Sequence, residues 1–121
     1  MENLTGIIIE ESLADTSVLK EVKILSTEIE PVTEEHKTPW IKQWTMHNVE
    51  IDADKADDVA LQLSQSLDKE HNWHADFKNE TVHYIIYRDK VFKIDRTREN
   101  EYQEATKYGI SIGIPDYQVD F

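Results

Sequence analysis

With 121 residues, 39% of them hydrophobic and 31% charged, the chain has the size of one compact unit and is too apolar for intrinsic disorder. Its 25 acidic against 13 basic residues give a formal charge of −12, so the average surface repels phosphate backbones and anionic bilayers; acidity serves solubility first, and nucleic acid and membranes are not expected partners. The lack of cysteine excludes disulfides, thiol nucleophiles and cysteine-ligated metal centres, and the opening Met1–Glu10 lacks the basic n-region and long apolar run of a secretory signal, which points to the cytoplasm.

Taken in chain order, Leu4–Ser12 carries the β-branched run Ile7-Ile8-Ile9 and reads as a first strand. Val18–Ile29 places Val22 and Ile24 on one parity and Leu19, Leu25 and Ile29 on the other, the pattern of a long strand with a bulge. Glu30–Pro39 holds two prolines and no apolar period, so it is a loop of the kind that often carries function. Trp40–Ile51 alternates as a third strand with apolar contact on both faces.

Asp52 and Asp54 are N-cap types, and Ala56, Val59, Ala60, Leu63 and Leu67 share one helical face, which predicts a helix from about Lys55 to Lys69. Period two returns at Trp73–Lys78, Val82–Arg88 and Val91–Asp95. An Asp89-Lys90 turn would set Tyr87 opposite Phe92 and Ile85 opposite Ile94. Thr97 is placed to cap a second helix, and Gly113-Ile114-Pro115 supplies its C′ glycine, hydrophobic C″ residue and stop. The tail to Phe121 is either an edge strand or a terminus pinned by Tyr117, Val119 and Phe121. The expectation is one α+β domain over residues 1–121, with βββαβββα order, a mainly antiparallel sheet of about six strands and both helices on one face. The doubled order suggests two similar halves.

One segment concentrates polar and aromatic chemistry, Glu70-His71-Asn72-Trp73-His74-Ala75-Asp76-Phe77-Lys78-Asn79, with His83 on the next strand. A tight turn near Asn79-Glu80 sets Asp76 opposite His83 with His74 two residues away, so two imidazoles and a carboxylate are candidates for acid–base chemistry or a metal. The blander account is an ordinary cross-strand pair. Trp40 and Trp73 are candidate ligand or partner contacts, Lys78 and Arg88 candidate anion contacts. Trp44, Tyr84 and Tyr87 could join those two tryptophans in walling a pocket or marking an interface, but core packing is the favoured account for any single ring.

Asp52, Asp54, Asp57 and Asp58 lack the spacing of a calcium loop and are explained by the helix start. Glu10-Glu11 and Glu34-Glu35 read as solvated charges that discourage edge pairing. Gly6, Gly109 and Gly113 form no phosphate loop, no serine sits in a nucleophile elbow, and no His-Glu-x-x-His occurs, so no metal or nucleotide cofactor is expected.

The stretches Trp73–Asn79, Val91–Asp95 and Tyr108–Pro115 resemble a small family of uncharacterised prokaryotic proteins. The resemblance implies a stand-alone cytoplasmic protein and assigns no activity, cofactor or site residue. Three functions stay open. The first is a non-enzymatic binding or regulatory module, with a homodimer among its admissible assemblies, that uses the Trp40 loop or an uncovered sheet face. The second is a small enzyme built on His74, Asp76 and His83, and the third an acidic mimic of nucleic acid.

Overall fold

A computed structural model of the protein describes residues 2–34, 40–114, 116–119 and 121, with Tyr117 through its backbone alone. The strands are β1 (Leu4–Ile9), β2 (Lys23–Pro31), β3 (Gln43–Ile51), β4 (His74–Lys78), β5 (Val82–Tyr87) and β6 (Lys90–Asp95), and the helices are α1 (Ala56–Ser66) and α2 (Glu99–Ser111). They follow in the expected βββαβββα order, and the six strands form one antiparallel sheet ordered β2-β3-β1-β4-β5-β6. Among the described residues no helix is long and apolar enough to cross a membrane.

The helices lie on opposite faces of this sheet, not on one as the sequence reading had it. The reason is β5, which is apolar on both parities and so has two faces to bury. Tyr84 and Ile86 join Leu4, Ile8, Val49 and Phe77 beneath α1, which contributes Ala56, Val59, Ala60 and Leu63. Ile85 and Tyr87 join Ile94, Ala105, Ile114 and Val119 beneath α2 and the tail. The Tyr87 hydroxyl fixes α2 in place by donating to the Ala105 carbonyl at 2.7 Å. Burial pushes that phenol well above its ordinary pKa.

Local chemistry accounts for the element ends. Asp52 accepts the Asp54 N–H at 2.9 Å and caps a short 3-10 turn leading into α1, so the capping role read for this acidic run holds at Asp52. The α2 C-terminus is a Schellman motif: Gly113 has φ +101°, its N–H reaches the Ile110 carbonyl, and the Ile114 N–H reaches that of Gly109. Thr97 does not cap α2. It turns inward on Asp95 instead, and the helix starts after Arg98 without a side-chain cap.

Residues 18–21, expected as the start of a strand, belong instead to a 3-10 helix over Thr16–Glu21 begun by Asp15, whose carboxylate accepts from the Ser17 N–H and hydroxyl. The expected bulge is present in β2, where the register shifts between Ile24 and Ser26. Glu10 and Glu11 are not merely solvated: Glu11 accepts from the Thr45 N–H and hydroxyl, and Glu10 approaches His47 at 3.1 Å. The tail is a pinned terminus with Val119 buried, and residues 35–39 of the proline-bounded loop lie outside the described residues, as does Pro115. Counted outward from the centre, the halves run β1-β3-β2 and β4-β5-β6, so they do not share a topology and the duplication suggested by element order is not realised.

Candidate functional site

The β4–β5 register pairs Lys78 with His83 and Asp76 with Ile85, a slip of two residues from the expected pairing. Two is the side-chain period of a strand, so every residue stays on its expected face. His74, Asp76 and His83 therefore converge as anticipated, through a diagonal contact and not a directly opposed one. His83 Nε2 lies 2.6 Å from Asp76 Oδ2, and His83 Nδ1 lies 2.9 Å from the Tyr102 hydroxyl of α2. With Nε2 assigned as donor to the carboxylate, a neutral ring leaves Nδ1 to accept from the tyrosine, which completes a chain Tyr102 to His83 to Asp76.

His83 is almost wholly buried, whereas the Asp76 side chain keeps 38% of its exposure and is the solvent-facing end of this chain. Phe121 sets its ring edge-to-face against both imidazoles, at 5.8 Å from each. Burial holds His74 below the ordinary histidine range, against the opposing pull of the Asp76 carboxylate and the Gln118 carbonyl.

On the α2 face of the sheet the helix covers β5 and β6, the tail reaches as far as β4, and Ile7 on β1 remains 48% exposed. The uncovered part holds a cavity of about 630 Å³ whose wall includes Ile7, Trp40, Trp44, Trp73, His74 and Asp76, a size within the range of small-molecule sites. All three tryptophans of the chain meet here. Trp73 receives Trp40 at 6.2 Å and 83° and Trp44 at 5.9 Å and 60°, both edge-to-face, and Trp40 stacks on His71 at 3.6 Å.

Trp40 is 44% exposed and Trp73 only 6%. The Trp73 indole N–H comes close enough to Asp68 to help lower that carboxyl, but its geometry falls short of a hydrogen bond, so Nε1 is buried without a partner among the described residues. At the mouth, Asp68, Glu70 and His71 bring one donor atom each within 4.8 Å of one another, a grouping that could hold a metal. Desolvation works to raise Asp68, yet the Glu70 N–H, the His71 ring at 2.7 Å and the Trp73 indole together keep it below its ordinary value, so the turn's own contacts already satisfy it.

The structure thus unites Trp40, Trp73, His74 and Asp76 at one cavity and puts His83 directly behind it. Lys78 borders a separate, smaller depression of about 370 Å³ on the same face, alongside Leu25 and Asp76. Arg88 lines neither of them and donates to the Lys69 carbonyl at 2.6 Å, a contact that ties the hairpin turn to the segment following α1. Trp44, weighed in the sequence as a pocket wall or a core ring, stands in the cavity wall, and Tyr102 and Ile7 are among the residues that sequence reasoning did not place in the site. Each comes from an element distant in sequence, and only the strand order could have located them. No protein-family model matches the chain, and its comparison with the curated proteins and with the solved structures yields no match.

Proposed function

We propose that the protein is a binding module that takes a small organic ligand into the tryptophan-walled cavity on the α2 face of its sheet. The observation that carries this reading is the meeting of all three tryptophans around one space of about 630 Å³, with Trp40 left 44% exposed at its rim. Apolar walls with a few convergent polar groups are the ordinary form of a ligand site, and large rings give much contact area for little lost freedom. A fragment screen read by the three indole N–H resonances in a proton–nitrogen spectrum tests it. A ligand of the cavity shifts Trp40, Trp44 and Trp73 together; a screen in which no compound does so refutes the reading.

A second reading is favoured by the Tyr102–His83–Asp76 chain. A carboxylate at a cavity wall, backed by a buried imidazole at 2.6 Å and a phenol beyond it, has the arrangement of a general acid–base with its orienting partners. On this reading the bound molecule is a substrate that exchanges a proton with Asp76, and Asp76→Asn abolishes turnover of a ligand that it still binds. A ligand turned over equally by the variant rules that out.

A further inference from the structure

We infer that the ligand class of the tryptophan cavity is a small organic cation, an alkylated ammonium carried by a free small molecule; this rests on the binding reading above. Three observations converge. The wall offers three indole rings that do not share one plane, Trp73 meeting the other two at 83° and 60°, and indole is the side chain that attracts an ammonium best through cation–π interaction.

The charged groups of the wall are of one sign. Asp76 and Glu70 contribute carboxylates, Asp68 lies behind the wall with its carboxylate engaged by the His71 ring at 2.7 Å, and neither lysine nor arginine occurs among the described residues that line the cavity. An anionic ligand would meet carboxylates with no compensating cation, a costly arrangement away from bulk water. Lys78, on this same face, borders the other depression.

The third observation concerns the two imidazoles. Burial keeps His74 neutral at neutral pH, so it adds no positive charge to repel a cation. Asp76 spends one oxygen on His83 and keeps its other oxygen and a substantial exposed surface for the cavity, which fixes the carboxylate's direction without consuming its charge. An aromatic enclosure with an oriented carboxylate at its wall matches an alkylammonium better than either a neutral or an anionic ligand of the same shape.

The experiment compares choline, its neutral isostere 3,3-dimethylbutan-1-ol and the anion 3,3-dimethylbutanoate at constant ionic strength, by titration calorimetry and by the three indole resonances. Choline is expected to bind at least about tenfold more tightly than the alcohol, and the anion not at all. Asp76→Asn, which keeps a side-chain oxygen for His83, is expected to lower choline affinity about tenfold and leave the alcohol unchanged. Trp40→Ala, at an exposed ring whose loss spares the core, is expected to weaken both.

If the alcohol binds as tightly as choline, or the anion binds best, the cationic inference is overturned while the cavity stands as a ligand site. If none of the three moves the indoles but other fragments do, the inference again falls alone. If no compound of either experiment moves them, both readings fall.

Discussion

Gly109→Ala is expected to destabilise the fold by about 1–3 kcal/mol, although alanine is the better helix former. A Cβ at residue 109 would lie 2.7 Å from the Tyr87 hydroxyl and 2.7 Å from Val119 Cγ1. Neither neighbour has room to retreat, because Tyr87 and Val119 are both fully buried and the hydroxyl is held by the Ala105 carbonyl. Alanine in place of glycine gains the helix about 1 kcal/mol of propensity. Overpacking costs about 1–3 kcal/mol, and disturbing the Tyr87 hydrogen bond costs about 1 more, so the unfavourable contributions win. Urea unfolding followed by circular dichroism gives the difference directly, and thermal unfolding shifts by roughly 4 °C for each kcal/mol in a chain of this size. In a Tyr87→Phe background, which removes one of the two atoms that the new methyl meets at 2.7 Å, the penalty of Gly109→Ala shrinks. A Gly109→Ala protein as stable as the parent, or a penalty that Tyr87→Phe leaves unaltered, refutes this account of how α2 docks.

The remaining predictions concern the sheet and the site. His83→Ala leaves the Asp76 and Tyr102 groups without their shared partner and is expected to cost about 1–3 kcal/mol in urea unfolding; a cost below about 0.5 kcal/mol means the three are neighbours and not a network. His74 is held below its ordinary value of 6.5, so the unfolded chain takes up this proton first. Its contribution to stability is present above about pH 6.5 and is lost as pH falls from there through the folded value, and His74→Gln flattens that part of a stability–pH curve. The carboxyls held below 3.8, among them Asp57, Asp68 and Asp95, act only at the lower end of the pH scale and do not overlap that window. Gly6→Ala drives a methyl into the Asp76 carbonyl and the Phe77 backbone across the β1–β4 seam, and a loss of more than about 2 kcal/mol or of soluble protein is expected. Arg88→Ala, at an exposed residue that does not line the cavity, is expected to change stability by no more than about 0.5 kcal/mol and to leave ligand binding unmoved.

The parts of the structure legible in the sequence were those set by local periodicity. The α1 face, with Ala56, Val59, Ala60 and Leu63, follows from spacing alone, and the Gly113 and Ile114 signal at the end of α2 carries its own mechanism. The convergence of His74, Asp76 and His83 was legible too, because a register error of two residues preserves faces, and the expected Tyr87–Phe92 pairing slipped by the same amount to Tyr87–Lys90. The turn itself is Arg88-Asp89, with Asp89 at φ +58°, so Arg88 was misplaced as a strand residue aimed at a ligand.

What could not be read depends on contacts between distant segments. The alternation of β5 shows that both its faces are apolar but not which helix covers which. The insertion of β3 between β1 and β2, which brings Trp44 and Ile7 to the site, leaves no mark on local pattern. Asp68 and His71 close a turn whose partners are three residues apart, and Asp-x-x-His was the available signal for it.

The two-sided burial of β5 also divides the molecule into units of unequal depth. Beneath α1 lies the larger cluster, drawn from β1, β3, β4 and β5, while α2 and the tail rest on a smaller one built from β5 and β6. Opening of the smaller unit requires only that α2 lift from Tyr87 and Ile85, and it leaves the other face of the sheet intact. Such an opening separates Tyr102 from His83 and strips Phe121 from both imidazoles. Amide exchange would therefore report the assembly of the Tyr102–His83–Asp76 chain through the protection of α2, on a timescale and at a free energy distinct from unfolding of the whole chain.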